Sequence, residues 1–113
     1  MDDYLVTADG RRIGRLSTAI KGSPTVHSAQ IVQTAPGKAI LLVKPGSGYT
    51  RKDADIICTD IRDRIGVFEL RIQEVEEIPK TPAGKLRLVV RLDDRAGLRR
   101  QYAHLVEEAY AQS

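Results

Sequence analysis

The sequence predicts an α+β fold in which a small antiparallel or mixed sheet is covered by helices and preceded by a β-hairpin. The chain has 113 residues, 42% apolar and 29% charged, which suits one globular domain. Apolar residues recur with helical spacing in two segments and alternate with polar residues in others. The predicted order is a hairpin followed by β, β, α, β, β and α, and this mixture of strands and helices is typical of an α+β fold.

The first part of the chain is predicted to form the hairpin and the strands of the sheet. Its β-rich segments are residues 4–8, 11–13, 26–33 and 39–43. Asp9-Gly10 is typical of a tight hairpin turn, and a short helical turn is predicted over 16–21. The unbroken apolar run over 39–43 predicts a strand that is buried on both faces in the middle of the sheet.

A helix is predicted after Thr50, which can cap it together with Asp53 three residues later. Gly66 is predicted to end this helix. Its predicted buried stripe consists of apolar residues with helical spacing: Ala54, Ile57, Cys58, Ile61 and Ile65. Two further strands are predicted from alternating apolar residues: Phe68, Leu70 and Ile72, then Leu86, Leu88, Val90 and Leu92. A last helix is predicted with Asp94 as its cap and one apolar stripe: Leu98, Tyr102, Leu105, Val106 and Ala109.

The composition argues against several kinds of protein. The chain has a single cysteine, Cys58, which excludes an internal disulfide. Because its only histidines are His27 and His104, we expect no metal site. No apolar run approaches the roughly 20 residues of a membrane span, and the acidic start does not resemble a secretory signal. We therefore expect a cytoplasmic protein. Because the chain has no Trp and only one Phe, it offers little stacking surface for nucleic acid.

The net charge of +3 is unevenly distributed along the chain. The segment from Lys80 to Arg100 has seven basic and two acidic residues, so it carries +5 while the rest carries −2. Such a block indicates either an anionic partner, which can be a small phosphate-bearing ligand or a polymer, or a solvated surface.

The most informative segment is residues 79–87, PKTPAGKLR. Its two prolines and its glycine restrict and turn the backbone, so that Lys85 is held in place. A lysine ammonium is a compact charge that suits the neutralisation of phosphate or carboxylate oxygens. The alternative interpretation is an ordinary loop that leads into a strand and carries a solvated lysine.

This segment resembles the Pro-x(4)-Gly-Lys-x-Arg signature near the end of the acyl-adenylate-forming ligases. The opening segment over 2–14, DDYLVTADGRRIG, is similar to the hinge and hairpin of the same superfamily. Within it, the chain most resembles the phenylacetate–coenzyme A ligases and their capsular-polysaccharide-type homologues, which AQIVQ over 29–33 also fits. The resemblance implies a single C-terminal domain, residues 1–113, with hinge and hairpin over 1–14, a lysine loop over 79–87 and an absent N-terminal adenylation domain.

The resemblance also implies roles for individual residues. Lys85 corresponds to the catalytic lysine, which contacts the substrate carboxylate and the α-phosphate of ATP. Asp2 corresponds to the hinge residue, and Arg12 to an arginine near the nucleotide phosphates. Pro79 and Gly84 shape the lysine loop. The chain lacks the Gly-Arg that should precede the hinge and the Pro-x-x-Ile-Glu pattern of the phenylacetate enzymes, so the acyl substrate stays open.

The function that these residues imply is part of an AMP-forming carboxylic acid–coenzyme A ligase, in which the mobile domain delivers Lys85 and then rotates about Asp2. The implied partners are the N-terminal adenylation domain, the acyl-adenylate and coenzyme A. No contact with a membrane is expected. ATP with Mg²⁺ and coenzyme A are expected in the full-length enzyme, with neither bound to this domain alone, which should be inactive. The alternatives are a stand-alone module that binds an anionic metabolite or RNA through the Lys80–Arg100 block, and a purely structural domain.

Overall fold

The computed structural model of the chain describes residues 4–14, 16, 20, 23–66, 68–80, 83–84, 86–92 and 96–111. In chain order the elements are β1 (Leu5–Val6), β2 (Arg12–Ile13), β3 (Val26–Ala35), β4 (Lys38–Pro45), α1 (Arg51–Ile65), β5 (Glu69–Glu74), β6 (Val89–Arg91) and α2 (Ala96–Ala111). Four predicted features lie outside the described residues: most of the helical turn over 16–21, the cap Asp94, and the site residues Asp2 and Lys85. The same holds for the side chain of Leu98.

Strands β3 to β6 form one mixed sheet in the order β5-β4-β3-β6. β3 and β4 are antiparallel and are joined by a tight turn at Pro36-Gly37, where Gly37 has a φ of +78°. β5 is parallel to β4 and β6 is parallel to β3. The apolar run over 39–43 lies in the inner strand β4 and is buried throughout. The predicted central strand and the predicted α+β class are therefore confirmed.

Helix α1 crosses between the parallel strands β4 and β5 and covers one face of the sheet. At its start the backbone N–H of Thr50 donates to the carboxylate of Asp53 at 2.9 Å, and the hydroxyl of Thr25 donates to the same carboxylate at 2.7 Å. Gly66 ends the helix: its φ is +86°, and its N–H donates a hydrogen bond to the carbonyl of Arg62. The buried residues are those of the predicted stripe: Ala54, Ile57, Cys58, Ile61 and Ile65.

Helix α2 covers the opposite face of the sheet. Tyr102 and Ala109 are buried, and Leu105 and Val106 are half-buried, as the predicted stripe requires. They pack on apolar side chains of the sheet: Val32, Ile40, Leu42, Val90 and Leu92. The sheet thus lies between two helices, and the hairpin β1–β2 packs with α1 on the first face. None of the helices among the described residues is both long and apolar enough to cross a membrane.

The predicted last strand over 86–92 is wrong in its extent and in its pattern. The strand covers only residues 89–91, with one further backbone hydrogen bond to β3 on each side of it, at Leu88 and at Leu92. Leu86 is 38% exposed and Leu88 is half-buried. Val89 packs on the side of α1 and Val90 on the side of α2. Since both faces of this short strand are covered, alternation is not a reliable guide to its burial.

Candidate functional site

The loop over 79–87 is described except for residues 81, 82 and 85, and it lies between a buried residue and β6. Ile78, just before the loop, is buried and Pro79 is half-buried. The described residues beyond Pro79 are exposed until Arg87, which is half-buried and leads into β6: Lys80, Ala83, Gly84 and Leu86. Lys85 itself lies outside the described residues, but its sequence neighbours Gly84 and Leu86 are both exposed. The described middle of the signature segment is therefore at the surface.

Gly84 has the backbone conformation that explains a glycine directly before the lysine. Its φ is +81°, a value that residues with a Cβ rarely adopt. No atom lies within 4 Å of the place where a Cβ would stand, so crowding does not explain the glycine. The requirement is conformational, because the chain must turn at this point to re-enter the sheet.

The two ends of the loop are joined by one buried side chain, Gln30 of β3. Its amide nitrogen donates to the carbonyl of Arg87 at 2.8 Å and to the carbonyl of Pro79 at 3.4 Å. Its amide oxygen accepts a hydrogen bond from the hydroxyl of Tyr102 at 2.7 Å. Gln30 is only 1% exposed, so water does not compete for these bonds. One amide therefore closes the neck of the loop and ties it to α2.

Tyr102 completes this contact from the helix side. The residue is 3% exposed, and its burial raises the pKa of the phenol above its ordinary value. The hydroxyl therefore keeps its proton at neutral pH and stays a hydrogen-bond donor to Gln30. The described contacts thus connect α2, β3 and both ends of the lysine loop.

A concave surface of about 460 Å³ lies beside the loop. It is lined by residues at the start of β3 and just after Lys85, most of them apolar: Ile20, Val26, Ala29, Leu86 and Leu88, with Ser23, His27 and Ser28. Leu86 is one of the two large apolar side chains that are well exposed among the described residues. The loop therefore stands next to an apolar hollow that can receive another surface or a ligand.

The entry of the chain into the domain is fixed by two arginines on Tyr4. The guanidinium of Arg91 lies 3.8 Å from the centre of the Tyr4 ring, and its Nη1 donates to the Tyr4 carbonyl at 3.1 Å. The guanidinium of Arg12, the predicted phosphate contact, lies 4.9 Å from the same ring and is exposed. Asp2, the predicted hinge residue, lies outside the described residues and two positions before this anchored tyrosine.

Gln33, a second buried glutamine of β3, holds the hairpin on the sheet. Its amide oxygen accepts from the Val6 N–H at 2.8 Å, and its amide nitrogen donates to the carbonyls of Val6 at 2.6 Å and Ala35 at 2.8 Å. The N–H of Gly37 also donates to the Val6 carbonyl at 2.9 Å. With β1 and β2 only two residues long, these bonds supply much of what fixes the hairpin.

The basic block from Lys80 to Arg100 is spread over several elements. Lys80 is in the loop, Arg91 in β6, and Arg99 and Arg100 are on α2. Arg91 is engaged with Tyr4. The described part of the block therefore does not lie on a single element.

Two other features of the sequence have structural roles. Cys58 is 2% exposed in the stripe of α1, and burial raises the pKa of its thiol to about 11. The segment from Gly46 to Thr50 is a turn between β4 and α1. Among the described residues, no three His, Cys, Asp or Glu side chains are grouped so as to hold a metal ion.

Sequence reasoning missed the roles of Gln30 and Gln33. A signal was present, since both are amides inside a strand whose neighbours Ile31 and Val32 are apolar. Buried amides must find hydrogen-bond partners. Apart from the carbonyl of Ala35, however, the partners are 27 to 72 positions away in the chain, so their identity could not be read from the strand itself.

Comparison with known proteins agrees with this architecture. No curated protein matches the sequence at a significant level. Among solved structures, the chain is similar to an acetoacetyl-CoA synthetase from Streptomyces lividans, with 22% identity and a TM-score of 0.56. The match covers 76% of this chain and 14% of that one. At this identity the likeness shows a shared fold alone, and the chain corresponds to a small part of that protein's length.

The family model for the CapK C-terminal domain matches residues 5–92, which extend from the hairpin through β6 and include the whole lysine loop. The matched residues end before α2. The resemblance to the C-terminal domains of capsular-polysaccharide-type adenylate-forming enzymes is therefore confirmed, and the chain belongs to the CapK C-terminal domain family.

Proposed function

We propose that this chain is the mobile C-terminal domain of a cytoplasmic, AMP-forming carboxylic acid–coenzyme A ligase of the phenylacetate–coenzyme A ligase type. The observation that carries the proposal is the family match over residues 5–92, which contains the Gly84-Lys85 signature in a segment whose described residues between Pro79 and Arg87 are exposed. The N-terminal adenylation domain, which would bind ATP with Mg²⁺ and the acid, is the partner of this domain in the proposal.

In the first half-reaction a carboxylate oxygen of the acid attacks the α-phosphorus of ATP, and pyrophosphate leaves with the electron pair of the broken bond. Both reactants are anionic, so their approach is opposed by repulsion. An ammonium group between them reduces that repulsion and orients the attack. We assign this role to Lys85. The exposure of its sequence neighbours Gly84 and Leu86 supports delivery into a separate domain, and Arg12 is the proposed contact to the nucleotide phosphates.

In the second half-reaction the thiolate sulfur of coenzyme A attacks the acyl carbon, and AMP leaves. Lys85 is not needed for this step, and the domain must present a different face. We place the pivot at Asp2, two positions before Tyr4, which is held by Arg91. A hinge requires a pivot close to a fixed residue, because motion is then confined to the few positions before that residue.

The test is to separate the two half-reactions in the enzyme that carries this domain. Removing a group that stabilises developing charge costs on the order of 3 kcal/mol or more, about 100-fold in rate. We therefore expect Lys85→Ala to lower pyrophosphate release at least about 100-fold while thioester formation from preformed adenylate stays nearly unchanged. Lys80→Ala, five positions earlier in the same exposed loop, is the matched control and should change neither rate by much. Equal losses in both half-reactions would contradict the role of Lys85.

The hinge has its own test in the same enzyme. Proline fixes φ near −65°, so Asp2→Pro should restrict rotation at this position. We expect the variant to retain adenylation and to lose thioester formation, the opposite pattern to Lys85→Ala. The isolated 113-residue chain should release no pyrophosphate from ATP and an acid, and release at enzyme-like rates would contradict its assignment as a partial unit.

The rival function, a stand-alone module that binds an anionic metabolite or RNA, depends on the basic block from Lys80 to Arg100. The described contacts do not favour it, because Arg91 is engaged by Tyr4 and the block is divided between a loop, a strand and a helix. RNA binding by this chain that weakens steeply with salt would favour the rival.

A further inference from the structure

We propose that Gln30 is a positioning residue for adenylation, and that it acts by holding the neck of the lysine loop together with Tyr102. This inference rests on the proposed role of Lys85. It assigns a purpose to a buried polar group that neither the signature motif nor the family match explains.

The geometry at the neck is specific. Pro79 and Arg87 stand at the two ends of the signature segment, and the two hydrogens of a single amide reach both carbonyls. The Gln30 amide therefore joins the two ends of the segment directly. Just beyond the segment, the Ile31 N–H donates to the Leu88 carbonyl at 2.8 Å and joins the following residues to β3.

The bonding capacity of this amide is well used. Its two donors serve the loop, and its oxygen accepts from Tyr102, whose hydroxyl stays protonated. Because Gln30 is 1% and Tyr102 3% exposed, neither group can exchange its partner for solvent without opening the core. The orientation of the amide, and with it the neck, is fixed from the side of α2.

In this proposal, holding the two ends of the loop at a fixed distance narrows the range of positions that are open to Lys85. Catalysis by a delivered charge is sensitive to this, since a misplacement of about 1 Å can cost about 100-fold in rate. Releasing the neck should therefore affect the step that uses Lys85 and leave the other step unchanged. A residue that only stabilised the fold would affect both.

The test uses three substitutions in the enzyme that carries this domain. Gln30→Met removes both donors and the acceptor with little change of volume, and Tyr102→Phe removes only the hydroxyl. Gln73→Met is the matched control, because Gln73 is also a buried glutamine of the sheet, 5% exposed, but donates to Glu108 on α2 and not to the loop. We expect adenylation to fall about 100-fold in Gln30→Met and several-fold in Tyr102→Phe, with thioester formation within about twofold of wild type.

A double variant distinguishes positioning from a general loss of structure. If Gln30 acts through Lys85, Gln30→Met should lower adenylation no further once Lys85→Ala is present. Additive losses, equal losses in both half-reactions, or the same effect from Gln73→Met would overturn the inference. If Lys85→Ala is itself without effect, the proposed function fails. If Lys85→Ala abolishes adenylation and Gln30→Met does not lower it, only the inference fails.

A second readout does not depend on activity. Trypsin cleaves after lysine and needs a locally opened chain, so cleavage after Lys85 in the 113-residue chain reports on the loop. It should be at least about tenfold faster in Gln30→Met than in the wild type and unchanged in Gln73→Met. Should Gln30→Met not fold, Tyr102→Phe decides the matter, with a smaller acceleration expected and no change overturning the inference.

Discussion

Replacing Gln33 by methionine should release the hairpin from the sheet. Methionine has nearly the same length and volume, so the change removes polar contacts without creating a large cavity. It deletes all three hydrogen bonds of the Gln33 amide: one from the Val6 N–H and one each to the carbonyls of Val6 and Ala35. The Val6 carbonyl keeps its bond from Gly37, but the Val6 N–H loses its acceptor.

The expected cost follows from these contacts. A typical hydrogen bond contributes about 1 kcal/mol net, so three amount to about 3 kcal/mol, and an unsatisfied N–H adds to this where water cannot reach it. The gain from burying a thioether offsets part of the loss, which leaves about 2–3 kcal/mol of unfolding free energy. With a urea dependence of about 1.5 kcal/mol per molar, the midpoint should fall by about 1.3–2 M.

The assay is urea unfolding of the 113-residue chain, followed by circular dichroism, with Gln73→Met as the control. Gln73 is as buried as Gln33, but it makes one described bond, to Glu108 at 3.0 Å, and its amide oxygen has no partner among the described residues. Burying an unpaired carbonyl is costly, so its replacement by methionine should be nearly neutral or stabilising. Equal losses in the two variants, or a loss below about 1 kcal/mol for Gln33→Met, would refute the reasoning.

Three further predictions concern single side chains. Hydrogen bonds from the Thr50 N–H and then from the Thr25 hydroxyl lower the pKa of Asp53, so the stabilisation that its carboxylate gives is present above about pH 4 and is lost as pH falls through the lowered pKa. Below about pH 4 the melting temperature should therefore fall less steeply in Asp53→Asn than in the wild type, and equal slopes would contradict this. Cys58 should react with a thiol reagent at neutral pH only as fast as the protein unfolds around it, since the thiol is buried and burial raises its pKa to about 11. Rapid labelling of the native protein would show instead that the thiol is accessible. Arg91→Ala should lower the free energy of unfolding in urea by about 2 kcal/mol, because it removes the hydrogen bond to the Tyr4 carbonyl and the contact with the Tyr4 ring. A loss of less than about 0.5 kcal/mol would show that other contacts hold Tyr4 on the domain.

The elements that the sequence predicts well are those with strong local signals. Thr50 and Asp53 predict where α1 begins, Gly66 predicts where it ends, and the helical spacing of its apolar residues predicts its buried face. The turn of the hairpin at Asp9-Gly10 is likewise local, and Gly10 has the expected positive φ of 90°. Each of these features depends on contacts within a few residues, so one stretch of sequence contains the whole cause.

The features that it predicts poorly depend on distant partners. The length of β6 is set by where β3 can pair with it. Only residues 89–91 form the strand, with single backbone bonds to β3 at Leu88 and Leu92, although the alternation begins at Leu86. The same holds for the candidate site. Its signature motif identifies Lys85, Gly84 and Pro79, but the residue that closes the loop neck, Gln30, lies about fifty positions earlier in another strand. A motif describes the group that does chemistry more readily than the groups that hold it in place.

The two buried glutamines together suggest how the hinge and the lysine can be coupled. Gln33 fixes the hairpin that follows Asp2, and Gln30 fixes the loop that contains Lys85. They are three positions apart on β3, so by strand alternation they point to opposite faces of the sheet. β3 is an inner strand, paired with β4 over most of its length, and is therefore among the stiffest parts of the domain. In the proposed enzyme a rotation about Asp2 is then transmitted to the loop through a single rigid strand. Weakening either glutamine should uncouple the loop from the hinge: Gln30 at the end that delivers the charge, and Gln33 at the end that sets the angle.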